Sequence, residues 1–191
     1  IVESSPGGFG AEQNSIEVMA HEFKDGLKKY LNNLGEDAPV SNLKEVIEAT
    51  LADSIEMLYF NLDRLNDAQS KGDLDSKIYK ESLENMLEAF RDNGIDRIMD
   101  KYNLDAITSP TGSPAWKTDL VNGDKYYIST TVYAALSGYP NINVPMGFIG
   151  NVPVGISFYG RAWSEPLLLQ VAYTYEQNTM HRRAPKFLVT D

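Results

Sequence analysis

Acyl-transfer chemistry needs a nucleophile, a base that activates it, and donors facing the developing oxyanion. The chain offers many serines, no cysteine and two histidines, His21 and His181. His181 precedes Arg182 and Arg183. No Gly-x-Ser-x-Gly elbow is present, so Ser-His-Asp chemistry has no home. His21-Glu22 has no second His one turn away, so the helical zinc pairing is missing and His21 reads as a helix-surface residue. Glu81, Glu84, Glu88 and Asp92 fall three and four apart. They read as a solvated helix face, because oxygen-ligand cation sites are usually built on loops that wrap the ion. Without cysteine there is neither a disulfide framework nor a thiolate metal site. The expected cofactor and metal complement is none.

One stretch does look like a binding wall. Asp105–Thr108 reads as a short strand running into Ser109-Pro-Thr-Gly-Ser-Pro-Ala-Trp. Two prolines stiffen that loop and an aromatic ends it, and loops after strands commonly carry binding groups. Thr111, Ser113 and Trp116 are its candidate substrate contacts. The alternative is a packed structural loop with Trp116 in the core.

The surrounding elements follow from periodicity. Ser15 to Leu34 predicts a helix with Ile16, Met19, Ala20, Phe23, Leu27, Tyr30, Leu31 and Leu34 on one stripe, stopped by Gly35. Ser41 is the predicted cap of a second helix that turns Leu43, Val46 and Ile47 inward. Helical spacing continues weakly through Ile55, Leu58, Leu62 and Leu65, and the polar run from Gln69 reads as a surface loop. Ser82 to Asn93 predicts a helix with Leu83, Met86, Leu87 and Phe90 inside, closed by Gly94; Ile95, Ile98, Met99 and Tyr102 begin another. Asp119 to Asp124 is a surface turn, and Thr130 to Gly138 a small-residue helix. Asn141–Phe148 and Val152–Tyr159 are rich in β-branched and aromatic residues and flank Gly150-Asn151, a turn signal. Pro145 and Pro153 each mark an edge, a bulge or a strand start. Ser164 and Pro166 open a last helix carrying Leu167, Leu168, Val171, Ala172 and Tyr175. Ile1-Val2 reads as the tail of a strand, and Pro6-Gly-Gly-Phe-Gly as a loop.

The reading is α/β: a short mixed sheet flanked by helices, with a helix-rich first half (1–103) followed by strands plus helices (104–191). The 191 residues suit one domain or a large piece of one, and 42% apolar content supports a core. The net charge of −10 is concentrated in the first hundred residues. An acidic surface repels phosphate backbones, which argues against nucleic-acid binding. No apolar run is long enough to span a membrane. The N-terminus is neither basic nor followed by an apolar stretch, so it does not read as a signal peptide. The chain also lacks an initiating Met, so an earlier segment is expected; the cytoplasm is the expected compartment.

An ordered series of short motifs points to a family. Gly138-Tyr139-Pro140, Asn143-Val144-Pro145-Met146-Gly147, Pro153-Val154-Gly155-Ile156-Ser157-Phe158-Tyr159-Gly160-Arg161-Ala162-Trp163-Ser164-Glu165 and Arg182-Arg183-Ala184-Pro185 resemble the C-terminal end of amidase signature enzymes. Leu104-Asp-Ala-Ile-Thr-Ser-Pro-Thr and Glu22-Phe-Lys extend the likeness upstream; it is weakest from about Thr50 to Lys77. The resemblance implies a Ser-cisSer-Lys mechanism acting on a small-molecule amide. Its nucleophile lies in a Gly- and Ser-rich segment preceding the first helix by a long way. Ser4-Ser-Pro-Gly-Gly has the wrong order and the wrong place, so no residue here carries over as catalytic. The chain is therefore expected to be the C-terminal portion of an amidase whose reactive residues lie outside it, inactive alone and prone to self-association. Two other readings remain. One is a non-catalytic amidase-like binding or scaffold module. The other is the glutamine-hydrolysing subunit of a tRNA-dependent amidotransferase, whose members carry an acidic residue where this chain has Ile128.

Overall fold

The computed structural model describes residues 1–7, 10–35, 37–58 and 61–187. The chain divides into two compact units, Gly8–Ala89 and Ile1–Gly7 with Phe90–Asp191.

The first unit is helical. α1 (Glu12–Asn32), α2 (Leu43–Ala52) and α3 (Asp63–Ser70) enclose a core of Ala20, Leu43, Ile47, Leu62 and Ala68, with Leu27 and Leu65 packed against it. α4 (Lys77–Phe90) adds buried Tyr79, Ser82 and Met86. The apolar stripe of α1 is only partly used: Ala20 and Leu31 are buried, whereas Met19, Phe23, Tyr30 and Leu34 are exposed. Ile55 and Leu58 are likewise exposed, in and beside the short 3-10 turn Glu56–Leu58. The cap of α2 is Asn42 rather than Ser41. Asn42 Oδ1 accepts the Glu45 N–H at 3.1 Å, while Ser41 N–H and hydroxyl donate to the Glu45 carboxylate. Those donors hold Glu45 below its ordinary pKa.

His21 is corrected most. It lies buried, at 3% exposure. Its Nδ1 is 3.0 Å from the Glu17 carbonyl, its Nε2 is 3.3 Å from Ser76 Oγ, and its ring packs on Tyr79. Lys71 pairs with Glu17 and Asp67 beside it, and those bonds raise the ammonium pKa. Spacing along α1 puts His21 outside the apolar stripe; the Glu17 carbonyl of its own helix and Ser76 from the loop before α4 offset the cost of its burial.

The second unit is the α/β part. After Phe90 the backbone takes a π-helical turn, Arg91–Asp96, kinked at Gly94, and continues into α5 (Arg97–Tyr102). β1 (Ile107–Pro110) follows, two residues later than Asp105–Thr108, because its register is set by β3. α6 (Thr131–Ser137) ends at Gly138 in the left-handed region (φ 70°). β2 (Asn141–Ile149) and β3 (Val152–Tyr159) form a hairpin across Gly150 and Asn151, and α7 (Glu165–Thr179) packs on both. Pro145 pairs with Gly155 at the edge of a bulge, where its missing N–H is tolerated.

The sheet order is β1-β3-β2, and both pairings are antiparallel, not mixed. β1 and β2 run in the same direction, but β3 lies between them. The α6 crossover thus joins parallel strands that are not neighbours. Alternation along β3 sends Phe158 to one face, with Leu168 and Ala172, and Tyr159 to the other, with Ile95, Ile98 and Met99. Ile1 and Val2 form no strand and are exposed. Of the Pro6–Gly10 loop, Gly8 and Phe9 lie outside the described residues. Among the described residues no helix is long and apolar enough to cross a membrane.

Candidate functional site

The chain leaves β1 at Pro110 and returns to α6 at Thr131. The intervening arm is closed at its base by a short antiparallel ladder. Thr111 N–H donates to the Gly155 carbonyl at 2.8 Å, and the Thr111 carbonyl accepts Thr130 N–H at 3.2 Å and Thr130 hydroxyl at 3.3 Å. Gly112 bridges Ser129. Ser113 N–H donates to the Ile128 carbonyl at 3.1 Å, and Ser113 Oγ accepts the N–H groups of Tyr127 (2.8 Å) and Ile128 (3.1 Å). The β1–β3 pairing is thereby prolonged into the loop, and Thr130 is buried there.

Beyond the ladder, Trp116 is half-buried. Its Nε1–H donates to Asp124 Oδ1 at 2.9 Å, and its ring meets Tyr126 edge-on at 6.3 Å between centroids. The arm turns at Asp119, whose Oδ1 accepts the N–H groups of Asn122 and Val121 at 2.9 and 3.0 Å. Those donors hold its carboxyl below the usual range. Trp116, Lys117, Thr118, Asp119 and Lys125 line an open depression on the arm. The structure therefore places Thr111 and Ser113 together at the base and Trp116 farther out, on a depression that the other two do not line. Neutral hydroxyls, an indole and two lysines can recognise a polar acceptor beside an apolar group. They do not make a nucleophile–base pair.

Ser157 is the residue that sequence reasoning missed. It is 1% exposed, and its hydroxyl donates to Thr111 Oγ1 at 2.9 Å. Its position two residues after Gly155, on the same face of β3, was the available signal.

A second open depression is lined by Arg91, Gly138, Tyr139, Pro140, Ala162, Trp163 and Glu165. Arg91 Nε–H donates to the Ser137 carbonyl at 2.6 Å, and its guanidinium lies 5.5 Å from the Tyr139 ring centroid. Tyr139 hydroxyl donates to Asp96 Oδ2 at 2.7 Å; burial, then this carboxylate, pushes its pKa up to about 12. Among the described residues no group of three or more His, Asp or Glu is placed to hold a metal ion.

The family model described as Amidase matches residues 9–169. A probable amidase of Arabidopsis thaliana is 34% identical over 182 residues, covering 94% of this chain and 32% of that protein. A glutamyl-tRNA(Gln) amidotransferase subunit of Desulforamulus reducens is 41% identical over 93 residues, covering 46% of this chain and 19% of that protein. The crystal structure of native peptide amidase from Stenotrophomonas maltophilia superposes with a TM-score of 0.85 at 33% identity, covering 98% of this chain and 37% of that one. The chain thus spans about a third of the length of relatives that match it almost throughout.

Proposed function

This chain belongs to the amidase family, and we propose that it is the C-terminal part, residues 1–191, of an enzyme that hydrolyses a carboxylic amide to an acid and ammonia or an amine. The observation that carries this reading is the family match over residues 9–169, supported by the likeness in sequence and shape to a peptide amidase. The chemistry runs through the Ser-cisSer-Lys set that the family resemblance implies, and that set lies outside this chain. The role of this part is to wall and frame the acyl pocket. Thr111 and Ser113 stand at the base of the arm after β1, with Trp116 on the arm itself. The enzyme needs no cofactor.

The test is ammonia release from the product of the complete reading frame and, in parallel, from the 191-residue chain. Substrates are a simple aliphatic carboxamide, an amidated dipeptide and glutamine. Release by the complete product alone is expected; release by the short chain, or by neither, overturns the reading.

The glutamine-hydrolysing subunit is the second reading, favoured by the 41% identity over 93 residues. Ile128, standing where that subunit carries an acid, weighs against it. Turnover of glutamine alone among the three substrates would install it.

A further inference from the structure

Gly155 and Ser157 lie two apart in β3 and so face the same side of the sheet. Both meet one side chain, that of Thr111. A Cβ on Gly155 would lie 2.9 Å from Thr111 Oγ1 and 3.3 Å from Thr111 Cβ, so only glycine leaves room for this threonine. Buried Ser157 donates its hydroxyl proton to Thr111 Oγ1 at 2.9 Å, and its own carbonyl accepts the Thr108 hydroxyl at 3.0 Å. The Thr111 main chain is held at both ends, by the Gly155 carbonyl on one side and Thr130 on the other. A β-branched side chain on a fixed backbone has little χ1 freedom. Its hydroxyl direction is therefore set from behind.

A hydroxyl has one proton to give and two lone pairs to fill. Ser157 fills one lone pair of Thr111 Oγ1. The Thr111 proton remains, and it meets no acceptor in the hydrogen bonds that Thr111 makes among the described residues. We propose that Ser157 is a positioning residue which presents the Thr111 hydroxyl as a donor to an acceptor oxygen of the bound amide, with Gly155 supplying the space. This rests on the reading of Thr111 as pocket wall. It narrows that reading: Thr111 recognises a carbonyl-type acceptor oxygen at that point.

The test uses the product of the complete reading frame, with an amidated dipeptide as probe. Thr111→Val, Ser157→Ala and the double variant are compared for kcat and KM. Loss of one neutral hydrogen bond predicts a KM about three- to tenfold higher for each single variant, with kcat changed by less than about twofold. The double variant should be no worse than Thr111→Val, since Ser157 acts only through Thr111. Thr111→Ser, which keeps the hydroxyl, should retain a near-parental KM. A purely structural Ser157 would lower the melting temperature of Ser157→Ala and leave KM alone; that result overturns the inference while the pocket reading stands. An unchanged KM in Thr111→Val removes the pocket reading as well. If Ser157→Ala fails to fold, Ser157→Cys, of similar volume and weaker donor strength, carries the same comparison.

Discussion

Ser137 has no exposed surface, and its hydroxyl stitches the end of α6 to the turn that leads into β2. It donates to the Tyr133 carbonyl at 2.6 Å and accepts the Tyr139 N–H at 3.1 Å. Ser137→Ala leaves that N–H without its acceptor and should cost about 1–3 kcal/mol in urea unfolding; a loss under about 0.5 kcal/mol would mean the bond is dispensable. Tyr139 gives a pH test. Its hydroxyl is raised from an ordinary value of 10.0 to about 12. A pKa raised on folding adds stability that is complete below the unfolded value and fades as pH climbs through the folded one. Stability should therefore decline between about pH 10 and 12, and Tyr159, raised by burial, adds to that decline. Tyr139→Phe should flatten the fall in melting temperature over that interval; an unaltered slope contradicts the assignment. At this scale the sequence is a poor guide where partners are remote. His21 looks like a surface residue because Ser76, its Nε2 partner, lies 55 positions on. Thr111 could be named from its loop, but not the serine behind it, 46 positions away.

Among the elements, those fixed by neighbouring residues were legible and those fixed by distant pairing were not. The β2–β3 hairpin is announced by Gly150-Asn151, and the start of α7 by Ser164 and Pro166. The limits of β1 depend on the run from Ile156 to Tyr159 across the sheet, so local composition misplaces it by two residues. The α1 stripe is drawn too wide for a similar reason: α2 and α3 cover only part of the face that periodicity marks as apolar. Gly138 shows the local case at its sharpest. It caps α6 at φ 70°, and a Cβ there would lie 3.3 Å from Arg91 Nη2. Gly138→Ala should destabilise the protein by about 1–2 kcal/mol, read from denaturant midpoints; a neutral result would show that the cap relaxes freely.

On the scale of the whole molecule, the family and the α/β class were readable from the ordered motifs, whereas the antiparallel pairing of β1 with β3 was not. Among the described residues the outer edges of β1 and β2 pair with no further strand. Met19, Phe23 and Tyr30 on α1 are exposed, as are Val121, Tyr126 and Tyr127 on the arm. Open edges and apolar surface promote association. The isolated 191-residue chain should therefore sediment as species heavier than a monomer as its concentration rises, and a strictly monomeric profile would contradict this.

On the function proposed above, this chain frames a serine amidase whose reactive group it does not itself contain. Labelling with a serine-directed fluorophosphonate measures that most directly, applied to the product of the complete reading frame and to the 191-residue chain side by side. Stoichiometric label is expected on the complete product and none on the short chain. Label on the short chain, mapped to one of its own serines, would contradict it.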